Sequence, residues 1–226
     1  MFAVIKKELK SYLLTPVGYT YIGIFLALFS LFFIINVYGG HVLNFEYLFG
    51  NGATVLTFIT PILTMRMFAE ERRNGTEQLI LTSPRSITSI VLGKFFAATI
   101  VMAITELLTL IYFAILCYFG DPSIKVALVT ILGFFLLSMA YLSFGMFASS
   151  LTENQVIASV LPIAVFLMMW FLPSFNQNLE IFSLIYLFDE FPSGIILIPN
   201  VIAFMTFTLL FILLTILVLK RRKNVK

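Results

Sequence analysis

Charge is what this sequence has least of. Asp, Glu, Lys and Arg together make up 11% of the chain, against about 25% in an ordinary soluble protein. A soluble domain of 226 residues would need a polar cover that so few charges do not provide. Histidine and cysteine are nearly missing as well, with one of each, His41 and Cys117. A single cysteine excludes an internal disulfide framework, and the two together exclude a Cys/His metal cluster. Nucleophilic and metal-centred hydrolysis are left with almost no raw material. Cys117, within LIYFAILCYFG, reads as apolar packing, and His41, beside Gly39-Gly40, is assigned no role. The phosphate-binding pattern GxxxxGK[ST] is also absent: Lys94 follows Gly93, but Phe95 comes next. The chain is therefore expected to bind no nucleotide, to hold no cofactor or metal, and to be no enzyme. Its basic residues are not interleaved with aromatics as in a nucleic-acid groove, so no nucleic-acid partner is expected.

What the chain has in abundance is apolar side chains. They account for 61% of it, with 26 phenylalanines, and the mean hydropathy is +1.06. A helix crosses the hydrocarbon layer with about 20 such residues. Six stretches qualify: 17–37, 53–68, 89–119, 124–149, 155–172 and 197–219. The second and fifth are short, the third is long, and Pro61 and Pro162 are expected to kink the spans that contain them. The expected fold is all-α, a polytopic membrane protein of six transmembrane helices forming one domain over residues 1–226. The opening MFAVIKKELKSYLL does not read as a cleaved signal, since its apolar start is short and no small-residue cleavage site follows.

Six crossings put both termini on one side, and of the 14 Lys and Arg residues only Lys125 then falls on the other. The positive-inside bias makes the termini cytoplasmic. Glu46, Asp121, Glu180, Asp189 and Glu190 fall outside. In the segment 175–198, Asn176, Gln177, Asn178, Pro192 and Gly194 interrupt the apolar run, so 181–188 is expected to form a short re-entrant or interfacial outer helix before span six. At the N-terminus, Ile5, Leu9, Tyr12 and Leu13 recur at helical spacing, with Lys6, Lys7 and Lys10 largely on another face. That pattern suits an amphipathic helix on the inner surface, its lysines near anionic lipid, or simply a basic segment that orients the chain.

One polar passage stands out, MRMFAEERRNGTEQLILTSPR over 65–85. Glu70 to Arg73 can continue span two beyond the membrane. Asn74-Gly75 is a stop signal, because both residues tolerate the left-handed conformation. Thr76 is placed to cap a new short helix with Glu77 in its first turn and Leu79, Ile80 and Leu81 as an apolar ridge. Ser83-Pro84 is expected to begin the next helix. A solvated turn needs none of this, so the passage reads as a docking element for a partner.

These residues also carry a resemblance. MRMFAEERRNGTEQLILTSPRSITSIVLGK and GFFLLSMAYLSFGMFASSLTENQVIASV, and more weakly FDEFPSGIILIPNVIAF, resemble the type-2 ABC exporter permeases. Within that family the chain is most similar to the compact gliding-motility-type members, over nearly its whole length. The resemblance implies a permease subunit that forms a path with a second permease, identical or paralogous. It implies two separate ATP-binding subunits that hold the ATP and Mg, and a cargo left undefined. It makes the loop 70–83 a coupling helix seated in the ATPase, with Glu70, Glu71, Arg72, Arg73, Gly75, Thr76, Glu77 and Leu79 as contact and shape residues. Glu153, Asn154 and Gln155 form a second cytoplasmic turn with a minor ATPase contact, and Gly93-Lys94 lies near the cytoplasmic entrance. Apart from the resemblance, an ATP-independent secondary transporter or a membrane scaffold remains open.

Within the spans, Glu106 is the one deep carboxylate, expected to pair with a polar group on a neighbouring helix or to contact cargo along a pathway. Gly133, Gly145, Ala140, Ala148, Ser149 and Ser150 mark close helix packing.

Overall fold

The computed structural model describes residues 1–38, 45–81 and 85–225, all helical or in short connections. Six helical segments are long and apolar enough to cross a membrane: Pro16–Ile35, Phe45–Arg73, Ile87–Tyr118, Ile124–Leu151, Gln155–Phe175 and Ile198–Lys223. The chain is an all-α polytopic membrane protein. The helices, in chain order, are α1 (Phe2–Leu14), α2 (Pro16–Tyr38), α3 (Phe45–Thr64), α4 (Ala69–Arg73), α5 (Glu77–Leu81), α6 (Ile87–Leu108), α7 (Leu110–Phe119), α8 (Ile124–Leu151), α9 (Gln155–Phe175), α10 (Leu184–Phe188) and α11 (Ile198–Val225). Two 3₁₀ turns, Gln177–Phe182 and Phe191–Ser193, flank α10.

Three boundaries differ from the hydropathy reading. Span two starts at Phe45, not 53, because Phe45, Leu48, Phe49 and Gly52 are buried against the bundle although Glu46, Asn51 and two glycines lower the local hydropathy. Span three is two helices. At Thr109 the amide donates to Glu106 O at 3.0 Å and the hydroxyl to the same carbonyl, a tight turn separating α6 from α7. Helix α6 begins at Ile87 with Ser86 as its cap, the Ser86 side chain accepting from Ser89 N. The expected cap and start, Ser83-Pro84, lie outside the described residues, as do His41 and Gly39-Gly40.

Helix α8 occupies the centre, packed on α11, α3, α9 and α6. Its small residues make that possible, since helices in lipid associate through close van der Waals contact. A Cβ at Gly133 would collide with the Phe191 ring, and one at Gly145 with the Thr64 side chain. Around Gly133 the rings interlock: Phe25–Phe29 centroids lie 4.5 Å apart, Phe29–Phe49 5.4 Å and Phe49–Phe134 4.9 Å, the last edge to face.

The segment before α11 is not the single helix expected over 181–188. Ser183 interrupts it and accepts from Tyr186 N, starting α10 afresh. Ile181 and Phe182 stay exposed, whereas Leu184, Ile185, Phe188 and Phe191 turn into the bundle. Asn200 Nδ2 donates to Leu187 O at 2.9 Å and ties the segment to α11.

Replacing Gly133 by valine should lower stability by about 1–3 kcal/mol, the usual cost of forcing extra carbons into a packed core. Gly23, whose Cβ would meet nothing within 4 Å, is the control, and Gly23→Ala should be neutral or mildly stabilising. Thermal unfolding in mild detergent separates the two.

Candidate functional site

Most of the charges excluded from the spans collect at one end of the bundle, where α1, α4, α5, the turn between α8 and α9, and the last turns of α11 meet. The geometry starts with a break in span two. Helix α3 runs through Pro61 and ends at Thr64, and turns over 65–68 lead into α4. The buried amides freed at this break are met by one side chain. Ser149 Oγ on α8 accepts from Phe68 N and Ala69 N, each at 3.1 Å, and donates to Met65 O at 3.2 Å. That stitch directs α4 out of the bundle.

Beyond α4 the chain reverses at Asn74-Gly75. Gly75 has φ +72°, a left-handed conformation that costs a side-chain-bearing residue roughly 1–2 kcal/mol, and the stop signal is where the sequence placed it. Thr76 Oγ1 donates to Glu71 O at 3.1 Å, and α5 follows with Glu77 in its first turn. Leu79 is 71% exposed. The side chains of Ile80 and Leu81, the rest of the expected apolar ridge, lie outside the described ones.

Two cation-centred clusters hold this loop. In the first, Lys94 of α6 is only 3% exposed and its ammonium lies 2.7 Å from Glu71 Oε1 on α4 and 3.2 Å from Glu8 Oε1 on α1. The ammonium also sits 5.4 Å from the centre of the Phe68 ring. A buried ammonium is tolerable only when paired, and here one lysine joins three elements. In the second, Arg222 of α11 donates to Glu77 Oε1 at 3.0 Å and to Ser150 O at 2.6 Å. Arg72 is 2.7 Å from Glu153 and 3.9 Å from the other oxygen of Glu77, and donates to Leu151 O at 3.3 Å. Arg66 and Glu70 form a looser pair at 3.9 Å.

The sequence-selected loop residues therefore divide. Glu70, Glu71, Arg72 and Glu77 turn to partners within the chain, while Arg73, Gly75, Thr76 and Leu79 are exposed. Glu153 joins the Arg72 cluster, Asn154 Oδ1 accepts from Val156 N to cap α9, and Gln155 opens that helix. Two of the hollows that border the loop flank Leu79 and the second cluster. One of about 330 Å³ lies between α1, α5 and α6, walled by Val4, Leu79, Arg85 and Ile90 among others. The other, of about 660 Å³, is walled by Gln78, Leu151, Val218 and Arg221 together with the second cluster.

Glu8, Ser149 and Arg222 were missed from sequence. Glu8 carried one signal, an acid placed among three lysines on the face that Ile5 and Tyr12 mark as inward. Glu106 stands apart from the charged end. It is 5% exposed, its Oε1 has no hydrogen-bond partner, and the expected pairing with a neighbouring helix is not made among the described residues. Thr105 and Thr109 bond to carbonyls of their own helix instead. Among the described residues no three His, Cys, Asp or Glu side chains come together as a metal site.

Lys94→Met leaves Glu71 unpaired and Glu8 with only the exposed Lys7 at 4.0 Å, and should cost about 3 kcal/mol, the low end for breaking a buried pair, because both carboxylates keep some water access. Adding Glu8→Gln and Glu71→Gln should recover much of the loss. Denaturant titration of the three forms checks both expectations.

Residues 51–222, most of the chain and all of the charged loop, match the family described as ABC-2 family transporter protein. No curated protein matches the chain.

Proposed function

The chain belongs to the ABC-2 transporter family, and we propose that it is the membrane permease subunit of an ATP-driven exporter of the compact gliding-motility type. Such a subunit has no ATP site of its own. Two partner ATP-binding subunits hold ATP and Mg, and a second permease, identical or paralogous, completes the path. The charged end is the cytoplasmic one, with both termini there, as the distribution of Lys and Arg requires.

The observation that carries this reading is the double grip on Glu77 by Arg72 and Arg222. A loop that merely reversed the chain would gain nothing from being tied both to the α8–α9 turn and to the end of α11. A loop that receives a push needs such ties, because force on α5 must reach the spans. Leu79 projects beside the clamp as the apolar knob that an ATPase cleft would cover, and Arg73, Thr76 and Gly75 shape its rim. Glu70, Glu71, Arg72 and Glu77 serve as internal braces. Glu153 takes part through Arg72, and Asn154 and Gln155 fix the start of α9. Nucleotide-driven approach of the two ATPases would then move α4 and α5, and with them α6, α8 and α11, as linked bodies. Glu106, buried beside the Thr109 turn, is the residue we assign to polar contact along the path.

Leu79→Asp tests the reading, because Leu79 is 71% exposed and is not one of the three residues of the Arg72–Glu77–Arg222 clamp. In mild detergent, wild-type chain should recover an ATPase subunit from native membranes, and the variant about tenfold less, as for loss of a central interface anchor, with an unchanged melting temperature. Equal recovery and equal ATP hydrolysis would sink the coupling role of the loop. Absence of any ATPase from a stable wild-type complex would turn the assignment towards a secondary transporter or scaffold.

A further inference from the structure

Helix α1 has two sides with different chemistry. At 100° per residue, Val4, Ile5, Glu8 and Tyr12 share the side facing the bundle, and Tyr12 is buried. That contact is close: a Cβ on Gly93 would come within 2.7 Å of Val4 Cγ1. On the side turned away, Phe2 and Leu13 follow one line, with Leu9 at its edge and Lys6 and Lys10 beside it. Phe2 is 86% exposed and Leu13 36%, and Lys6, Lys7 and Lys10 are exposed too. Only Thr15 separates α1 from the first span, which opens at Pro16. A helix attached so closely to a membrane span, with an apolar line flanked by lysines, is placed against lipid headgroups, and the charge that complements it is anionic.

The inner side of the same helix carries Glu8, and Glu8 shares Lys94 with Glu71 of α4. Lipid contact on one side and the loop 70–83 on the other are thus joined through a single buried ammonium. We propose that α1 reads the anionic charge of the leaflet it lies on and that the Glu8–Lys94–Glu71 bridge passes its seating to α4 and α5. When lysines on the outer side are drawn to anionic headgroups, α1 is held in place, Glu8 stays on Lys94, and α4 is braced from below. In a neutral leaflet α1 lifts more readily, Glu8 leaves, and α4 loses one of its ties. Only the consequence for transport rests on the loop being the coupling element. The bridge itself acts within this chain and needs no ATPase.

Hydrogen exchange of the full chain in phosphatidylcholine vesicles, with and without phosphatidylglycerol, tests it without a partner. In wild type, phosphatidylglycerol should slow exchange in both α1 and residues 69–79, the latter by about fivefold, the equilibrium equivalent of one lysine brought to an anionic surface. Lys6→Gln with Lys7→Gln and Lys10→Gln should abolish both responses, since all three lysines are exposed. Glu8→Gln leaves Lys94 paired with Glu71, so the variant should fold, keep the α1 response and lose that of residues 69–79. Wild-type exchange over 69–79 that ignores phosphatidylglycerol, or a Glu8→Gln loop that responds as wild type does, overturns the proposal. Neither result bears on whether the loop binds an ATPase, which the Leu79→Asp recovery reads separately.

Discussion

Within a span, a backbone amide without a partner is costly, because no water is there to replace the missing bond. The break between α3 and α4 raises that problem, and Ser149 answers it, serving two amides and one carbonyl with a single hydroxyl. Much else depends on this contact. It lets span two stop being a straight helix before it leaves the bundle, and it anchors the departing strand of turns to the central helix α8. Without it α4 would have no fixed direction, and neither Glu71 nor Arg72 would be brought to its cation or carboxylate.

From that point outward the structure changes its means of cohesion. Inside the bundle, contact between small residues and rings dominates, with α8 giving Gly133 to Phe191 and Gly145 to Thr64. At the charged end, long side chains reach across gaps that helices do not close. Arg222 spans from α11 to α5 and to the end of α8, and Lys94 from α6 to α1 and α4. The charged loop is thus integrated into the body of the protein, and only part of it faces outward.

The six spans were legible because hydropathy and length are local properties. The reversal at Asn74-Gly75 was legible for the same reason, being a matter of backbone conformation at one glycine. The start of α3 was not, since Glu46, Asn51 and Gly52 look like loop residues until Phe45 and Phe49 are seen inside an aromatic cluster. The internal break at Thr109 leaves no trace in an apolar run. In the loop, the charged residues could be named but not sorted. Whether Glu77 faces a partner or Arg222 depends on a contact across 145 positions of sequence, and no local pattern encodes it. Glu106 was expected to find a partner because burial demands one, and among the described residues its Oε1 has none.

The two ends of the bundle differ in what they can do at constant shape. Interlocked rings such as Phe29, Phe49 and Phe134 have one good arrangement, and displacing any of them opens a void. Ion pairs such as Arg72 with Glu153 and Glu77 can exchange one oxygen for another through small rotations, each step costing little. Rings of the first kind suit a fulcrum and ion pairs of the second kind suit sliding joints, so under the proposed coupling role a small displacement at the loop would tilt the helices about their far ends.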